Sequence, residues 1–250
     1  MDLAEYEKIA PNVIIPDLQG SPFTFLTPNS HCAWRAQTLY TKEPDTIAWL
    51  RNMKEGEVLF DIGANLGQYS LLAARNGVKV HAFEPEAQNF AVMVRNIAIN
   101  SLSDKITPWP VALSDHISLD ILHLSSMLAG GSCHAYGSSK DFRGNDHQFP
   151  HSQGSVATTL DHFCAKYGSP NHIKIDVDGF EHLVVKGGLV SFNKARSILI
   201  EINTAYPEHM EYVLPKMAEL GFEYDRAQAD ESRRKEGPFT GVGNIIWYKD

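Results

Sequence analysis

From residue 44 onward, short apolar segments alternate with segments of helical periodicity, and this alternation limits the possible folds more than any other feature. The helical segments repeat apolar residues three or four positions apart, as Phe90, Val94 and Ile97 do. Strands that alternate with helices build a parallel sheet covered by helices on both faces. The sequence therefore predicts an α/β fold.

The predicted strands and helices follow one another in a regular order. The strands are predicted at 58–62, 78–84, 106–115, 172–179 and 195–203. The helices are predicted at 43–56, 67–76, 86–100, 158–168 and 207–222. Because Pro108 and Pro110 lack the N–H that a central strand needs, the third strand is expected at an edge of the sheet. The last helix is expected to kink at Pro215.

The end of the chain departs from this alternation. Two further strands, within 222–228 and 243–249, are separated by a charged segment in which we expect a loop and no helix. Strands joined without a crossover helix are antiparallel. A mostly parallel sheet is therefore predicted to carry one reversed strand at its end.

Length and composition favour one large domain, since 250 residues with 43% hydrophobic residues can bury a single core of this kind. We expect residues 1–43 to form an N-terminal arm that packs on the core, and residues 44–250 to form the domain. In the arm, Trp34 and Arg35 either close over a ligand or serve only in packing. Segment 129–155 is rich in Gly, Ser and His and lacks periodicity, so it is either a substrate lid or an excursion without function.

Charge and cysteine spacing exclude several functional classes. A net charge of −8 disfavours nucleic acids and membrane surfaces as partners. Cys32, Cys133 and Cys164 are widely spaced and provide neither a disulfide framework nor a zinc site. The first residues are acidic and polar, unlike a signal peptide, and no apolar run reaches the roughly 18 residues of a membrane span. A soluble cytoplasmic protein is therefore expected.

The turn after the first strand, DIGANLG at 61–67, separates this chain from dinucleotide-binding proteins. Counted from Gly63, the fingerprint GxGxxG requires two further glycines where this chain has Asn65 and Gln68. Asp61 would also repel a pyrophosphate at the helix N-terminus by about 1 kcal/mol or more. An NAD-dependent oxidoreductase is therefore disfavoured, and a cationic ligand without phosphate is favoured.

S-Adenosylmethionine has the matching chemistry, because it carries an ammonium, a sulfonium and a ribose diol. Asp61 can attract its methionine portion, and Gly63 lets the backbone approach closely. Glu84 ends the next strand about 20 residues later, where a carboxylate accepts hydrogen bonds from both ribose hydroxyls. Asp115, with Ser114 beside it, can accept from the adenine amino group. Each acid alone is equally consistent with a helix cap, whereas three at consecutive strand ends indicate a binding site.

Six motifs occur in order between residues 38 and 203. They are FDIGANLGQYSLLAA, HAFEPEAQNFAVMVRNIAIN, VALSD, TTLD, IKIDVDGFEHLVVKGG and ILIEIN. In this set the sequence resembles the FkbM family of S-adenosylmethionine-dependent methyltransferases. The resemblance implies a class I methyltransferase fold, which is Rossmann-like, with a seven-stranded, mostly parallel sheet and a reversed last strand. It also implies O-methylation of hydroxyls on sugars or polyketide-type metabolites.

The resemblance further implies roles for individual residues. It implies cofactor contacts from Asp61, Gly63, Asn65 and Gly67 to the methionine half, from Glu84 to the ribose, and from Ser114 with Asp115 to the adenine. Asp176 would lie nearest the transferred methyl group. Asp178 stands where the family usually shows a glutamate, which shortens the reach of that acid by one methylene.

An alcohol acceptor must lose a proton during methyl transfer, and a positioned base contributes ~10²–10⁴-fold to the rate. Asp176 is the first candidate at this edge, since a carboxylate in a buried strand is either functional or paired with backbone N–H groups. Glu181 and His182 follow it, and His182 is either a general base that titrates near neutrality or a surface residue. Further base candidates are His134, His147 and His151.

The predicted function is S-adenosylmethionine-dependent O-methylation of a hydroxyl on a small metabolite, sugar or polyketide-type substrate, as in secondary metabolism. The alternatives are a catalytically inactive cofactor-binding partner protein and an N-methyltransferase, because class I folds methylate several kinds of atom. Asp176 with Glu201 and Asn203 offers oxygen ligands for a divalent metal, but no spacing requires one, and no metal is expected.

Overall fold

The computed structural model describes residues 12–17 and 20–249, so the acidic first residues of the predicted arm lie outside the described part. Within it, the strands are β1 (Asn12–Ile15), β2 (Phe23–Leu26), β3 (Val58–Ile62), β4 (Lys79–Phe83), β5 (Ile106–Trp109), β6 (Ala112–Leu113), β7 (Ser118–Leu124), β8 (Ala135–Tyr136), β9 (His151–Thr158), β10 (His172–Ile175), β11 (Ser197–Asn203), β12 (Glu223–Tyr224) and β13 (Val242–Tyr248). The helices are α1 (Ser30–Gln37), α2 (Pro44–Arg51), α3 (Gln68–Arg75), α4 (Ala87–Ile99), α5 (Leu160–Tyr167), α6 (Glu181–Lys186), α7 (Leu189–Phe192), α8 (Leu214–Glu219) and α9 (Arg226–Ser232).

The central sheet has seven strands in the order β12-β13-β11-β10-β3-β4-β5. Neighbouring strands pair in parallel except at β13, which runs antiparallel to both β11 and β12. The predicted mostly parallel sheet with a reversed last strand is therefore confirmed. Strand β5 lies at one edge of the sheet, as Pro108 and Pro110 predict for this segment.

Helices cover both faces of the central sheet because successive strand residues point to opposite sides. In β3, Leu59 belongs to the buried cluster that contains Leu72 of α3. The next residue, Phe60, belongs to the cluster on the other face, which contains Phe163 of α5. The core is thus two apolar layers separated by the sheet, and neither face of β3 meets solvent.

A second sheet corrects two of the predicted elements. The predicted strand 106–115 divides, because Pro110 has no N–H to extend the pairing of β5. The short strand β6 then joins a four-stranded sheet in the order β6-β9-β7-β8. Strand β9 begins in the segment 129–155 that showed no periodicity, and it pairs antiparallel with β7 from His151 to Ala157. Hydrophobic periodicity does not predict this strand, because many of its residues are polar and one side of it faces solvent.

The end of the chain also differs from the sequence prediction. Helix α9 lies between the last two strands, where a charged loop without a helix was expected. The Asp225 side chain caps it by accepting a hydrogen bond from the backbone N–H of Ala227 at 2.8 Å. Before α8, the backbone widens into one π-helical turn at His209–Val213, just ahead of Pro215. This irregularity matches the predicted kink.

The described part of the N-terminal segment packs against helix α4. Strands β1 and β2 form an antiparallel pair, and Phe23 and Phe25 are buried in the core. The Asn96 side chain of α4 accepts a hydrogen bond from the Leu26 backbone N–H at 2.8 Å. Helix α1 is thereby held beside the end of the central sheet. Among the described residues, no helix is both long and apolar enough to cross a membrane.

Candidate active site

A cavity of about 940 Å³ opens at the carboxyl ends of the central strands β3, β4 and β10. Parallel sheets of this type bind ligands at that edge. Four of the residues predicted from the sequence line this cavity, namely Gly63, Asn65, Glu84 and Asp176. Six others do not line it, namely Asp61, Gly67, Ser114, Asp115, Glu181 and His182.

Glu84 presents a rigid carboxylate to the cavity. Its Oε2 accepts a hydrogen bond from the backbone N–H of Asn65 at 2.8 Å, and its Oε1 accepts one from Glu86 at 2.9 Å. Each oxygen keeps a further lone pair for a hydroxyl donor. Burial raises the pKa of Glu84 to about 7, although these backbone hydrogen bonds act to lower it. The group is therefore poised between its two protonation states near neutral pH.

Asn65 completes this wall of the cavity from a left-handed backbone conformation, with φ of 52°. Its Nδ2 donates to the carbonyl oxygen of Gly131 at 2.7 Å. Its Oδ1 is buried, and no described residue forms a hydrogen bond with it. A buried, unpartnered acceptor on a cavity wall is a ready site for a donor such as an ammonium group.

Close packing explains the two predicted glycines, Gly63 and Gly67, without the approach of a ligand. A Cβ on Gly63 would lie 1.8 Å from the carbonyl oxygen of Asp176, so this glycine lets the ends of β3 and β10 meet. A Cβ on Gly67 would lie 2.9 Å from Cγ of Met93 in α4. Gly67 does not reach the cavity, and its φ of 78° starts helix α3.

Asp61 lies behind the cavity rather than on its wall, which corrects the expected direct contact with the methionine portion. It is fully buried and accepts a hydrogen bond from Oγ of Ser70 at 2.6 Å. The buried ammonium of Lys174 lies 3.8 Å from Asp61 and 3.1 Å from Asp176. Burial acts to raise the pKa of Asp176, but Lys174, Lys42 and Arg234 together outweigh it and the net shift is downward. These cations thus keep Asp176 ionised at the cavity.

Ser114 and Asp115 turn away from the cavity because the chain leaves the central sheet after β5. Ser114 lines a separate cavity of about 280 Å³. Asp115 is partly exposed and lies 2.6 Å from Nδ1 of His116. The large cavity is instead lined here by the apolar residues Val111, Ala112, Leu113 and Leu122. The predicted adenine contact from Ser114 and Asp115 therefore has no geometric support.

Glu181 and His182 also lie outside the cavity, which removes the geometric basis for their expected catalytic roles. The Glu181 carboxylate is buried and accepts hydrogen bonds from the backbone N–H groups of Val177 at 2.8 Å and Gly179 at 3.0 Å. It also lies 3.0 Å from Nε2 of His209. His182 is nearly buried beside the smaller cavity, and burial lowers its pKa.

Three carboxylates converge on the floor of the large cavity. Carboxylate oxygens of Asp176, Asp178 and Glu201 lie within 4.8 Å of one another. Burial, followed by repulsion from Asp176, raises the pKa of Asp178 to about 7. The same two causes raise the pKa of Glu201 well above its ordinary value. Two of the three, Asp176 and Glu201, belong to the set of oxygen ligands considered from the sequence.

Several other lining residues were absent from the predicted site or were assigned a different role. Helix α1 contributes Trp34 and Arg35, and the segment before β13 contributes Arg234 and Phe239. His134 lines the cavity, but its pKa falls to about 4 through burial, and its Nδ1 accepts from the Ser125 backbone N–H at 3.3 Å. A neutral imidazole in that tautomer offers a donor at Nε2 rather than a base. Hydrophobic periodicity carries no signal for Arg234, Phe239 and His134, because they lie in loops.

The sheet order, the reversed strand β13 and the cavity at the strand ends are those of the class I methyltransferase fold. The chain belongs to the FkbM methyltransferase family, since the family model described as the methyltransferase FkbM domain matches residues 61–224. It is therefore an S-adenosylmethionine-dependent methyltransferase, and the family implies use of that cofactor.

Two relatives are similar to this chain, one over most of its length and the other over about a third of it. The hexuronic acid methyltransferase AglP of Haloferax volcanii is 23% identical over 221 residues, which cover 87% of this chain and 86% of that protein. The 31-O-demethyl-FK506 methyltransferase FkbM of Streptomyces tacrolimicus is 35% identical over 85 residues, which cover 32% of this chain and 33% of that protein.

Among solved structures, a putative rRNA-methylase from Clostridium thermocellum aligns with a TM-score of 0.49 at 10% identity, covering 82% of this chain and 94% of that one. The precorrin-6y C5,15-methyltransferase of Geobacter metallireducens aligns with a TM-score of 0.48 at 10% identity, covering 83% and 87%.

Proposed function

We propose that this protein transfers a methyl group from S-adenosylmethionine to a hydroxyl of a small metabolite such as a sugar. The observation that carries the proposal is that two groups of residues line one cavity. Glu84 and Asn65 form part of its wall, and Asp176 with two further carboxylates forms its floor. The names of the two relatives support such acceptors, since one specifies a hexuronic acid and the other an oxygen position, 31-O.

The residues of the first wall fit the cofactor. Glu84 offers two oxygens with free lone pairs, which suit the ribose diol, and the unpartnered Oδ1 of Asn65 suits an ammonium group. Apolar residues such as Leu113 and Leu122 suit the flat adenine ring. When bound, the cofactor would supply a methyl group already activated by its sulfonium.

The other residues of the cavity would position the acceptor and exclude water. Trp34 and Phe239 provide apolar and aromatic surface on the cavity wall, while Asp176 offers an ionised acceptor to a substrate hydroxyl. The Gly/His-rich segment contributes Gly130, Gly131, Ser132 and His134 to the lining of the cavity, which supports a role of this segment as part of the wall. Holding the reacting atoms about 3–3.5 Å apart is the main contribution to the rate in such a displacement.

The acceptor is best tested with a defined panel. The purified protein is incubated with S-adenosylmethionine and hexuronic acids, neutral sugars, hydroxylated macrolides and amines, and products are followed by mass spectrometry. Methylation of a hydroxyl is expected. Transfer only to the amines would establish an N-methyltransferase, and tight cofactor binding without any transfer would favour an inactive partner protein.

The cofactor assignment predicts a loss of affinity in Glu84→Gln. An amide cannot accept from both backbone N–H groups and both ribose hydroxyls, so S-adenosylmethionine should bind about 10–100-fold more weakly. In the wild type, affinity should rise as the pH passes through about 7, where Glu84 ionises. Calorimetry across this pH range measures both effects, with exposed Glu55→Gln as the matched control. Equal affinity in Glu84→Gln and wild type would remove the ribose assignment.

A further inference from the structure

The backbone that carries Asp178 is fixed on both sides. Asp178 has a left-handed conformation with φ of 55°, which is uncommon for a residue other than glycine. The residues on either side of it, Val177 and Gly179, both donate their backbone N–H groups to the buried Glu181 carboxylate. His209 in turn lies 3.0 Å from Glu181. This turn is therefore held rigidly in a conformation that the chain would otherwise avoid.

The side chain of Asp178 is equally well placed. Its Oδ2 accepts a hydrogen bond from the backbone N–H of Cys133 at 2.6 Å. No hydrogen bond from the described residues reaches its Oδ1, and the residue lines the large cavity. One oxygen thus fixes the orientation of the carboxylate and leaves the other available to a ligand.

The neighbouring candidates are each committed elsewhere. Asp176 is bound by the Lys174 ammonium at 3.1 Å, which weakens it as a base. Glu201 lies 3.6 Å from the Arg234 guanidinium and shares the floor with both aspartates. His134 offers a donor at Nε2, and His182 does not line the cavity. Asp178 is the remaining carboxylate on this floor without a side-chain partner.

We propose that Asp178 takes the proton of the acceptor hydroxyl during methyl transfer, an assignment that rests on the proposed O-methylation. The acceptor O–H bond breaks and its proton passes to Oδ1 of Asp178. The electron pair of the acceptor oxygen forms the new bond to the methyl carbon, and the electrons of the former carbon–sulfur bond remain on sulfur. Glu181 is then a positioning residue, since it acts only through the turn that holds Asp178.

The charges around Asp178 agree with this role. Burial raises its pKa to about 7, and repulsion from Asp176 and Glu181 adds to this, whereas the Cys133 hydrogen bond and Arg35 lower it. A general base works best when its pKa lies near the working pH. The titratable or charged groups that face it are Asp176, Glu201, Glu181, Glu84, Arg35 and the Cys133 thiol.

The test is the pH dependence of single-turnover methyl transfer in Asp178→Asn at saturating S-adenosylmethionine, so that the pH-dependent binding expected from Glu84 does not contribute to the rate. Asparagine tolerates the left-handed backbone, so this variant should keep its fold and its affinity for S-adenosylmethionine. We expect the rate of the wild type to rise through about pH 7, and that of the variant to be ~10²–10⁴-fold lower without this rise. Exposed Asp104→Asn is the control and should behave as wild type.

A second measurement does not need an acceptor. With aspartate labelled at the carboxyl carbon by ¹³C, the resonance missing from Asp178→Asn should titrate near pH 7 in the wild type. It should titrate at lower pH in Asp176→Asn, where the repelling charge is gone. If no hydroxyl is ever methylated, the proposed function fails, and this titration still reports on Asp178.

Three results would overturn the assignment. The first is an Asp178 resonance that titrates as an ordinary, solvent-exposed carboxyl. The second is a pH-dependent rate that survives in Asp178→Asn. The third is a rate that EDTA abolishes and Mg²⁺ restores, because an ion on the three carboxylates would occupy the oxygen that must receive the proton.

Discussion

A backbone contact at Gly63 joins the two central strands on which the cavity depends. The carbonyl oxygen of Asp176 occupies the space where a Cβ on Gly63 would lie, 1.8 Å away. That contact sets the separation between the turn of Asn65 and the acidic floor. Because Asp176 is also bonded to the buried Lys174, a displacement at Gly63 would disturb the ion pair as well as the cavity.

Gly63→Ala should therefore destabilise the protein by more than its backbone conformation alone explains. A left-handed alanine costs about 1–2 kcal/mol, and the collision with Asp176 adds to it. Gly56→Ala is the matched control, since Gly56 has a similar φ of 82° and no atom of the described residues lies within 4 Å of its would-be Cβ. Denaturant unfolding of both variants measures the difference. Equal losses would show that β3 and β10 can separate without penalty.

The four-stranded sheet is attached to the central sheet next to Glu84. Gln153 of β9 donates from Nε2 to the carbonyl oxygen of Pro85 at 2.7 Å. Its Oε1 accepts from the backbone N–H of Ala87 at the start of α4, at 3.1 Å. One side chain thus links β9 to the residues that directly follow Glu84, and it restrains the loop between β8 and β9.

Gln153→Ala should loosen this attachment. We expect faster proteolysis within 137–150 and a several-fold weaker affinity for S-adenosylmethionine, because two backbone groups next to Glu84 lose their partner. Limited proteolysis and calorimetry measure these effects, with exposed Gln148→Ala as the control. Unchanged proteolysis would mean that the strand pairing of β7 and β9 alone holds the second sheet.

The elements that sequence reasoning predicts correctly are those with apolar periodicity, such as β3, β4 and α4. Sequence reasoning misses strand β9 because half of its residues are exposed, and Ser152, Gln153 and Gly154 interrupt any apolar alternation. The site shows the same division. Glu84 and Asp176 follow strands and are foreseeable, whereas Ser114 is misplaced because the path of the chain after Pro110 depends on pairing with a distant strand. Arg234 and Phe239 come from a segment without any local pattern.

For the whole molecule, the clustering of acids at one edge makes stability depend on pH. Glu84 has a pKa of about 7 in the folded state, above its ordinary value. A raised pKa in the folded state means that the folded protein binds more protons than the unfolded one. Its contribution to stability is fully present below the unfolded pKa and is lost as the pH rises through about 7. Four histidines with lowered pKa values oppose this trend, namely His81, His134, His172 and His182.

Comparison with Glu84→Gln separates the contribution of Glu84 to the pH dependence of stability from that of the histidines, because both proteins contain the same histidines. The unfolding free energy of the wild type minus that of the variant should fall by about 2 kcal/mol between pH 5 and pH 8. Denaturant unfolding without cofactor at several pH values measures this difference. A difference that stays constant with pH would mean that Glu84 ionises normally in the folded protein.

Strand β13 lies between β11 and β12, although it follows both of them along the chain. Until β13 has been translated, β12 has no neighbour among the described strands, and Tyr224 lacks the Trp247 ring that packs 4.4 Å from it. Until then the nascent sheet has an open border that chaperones can recognise. A product that stops before Val242 would lack the strand that joins β12 to the rest of the sheet, and it would be a target for proteases.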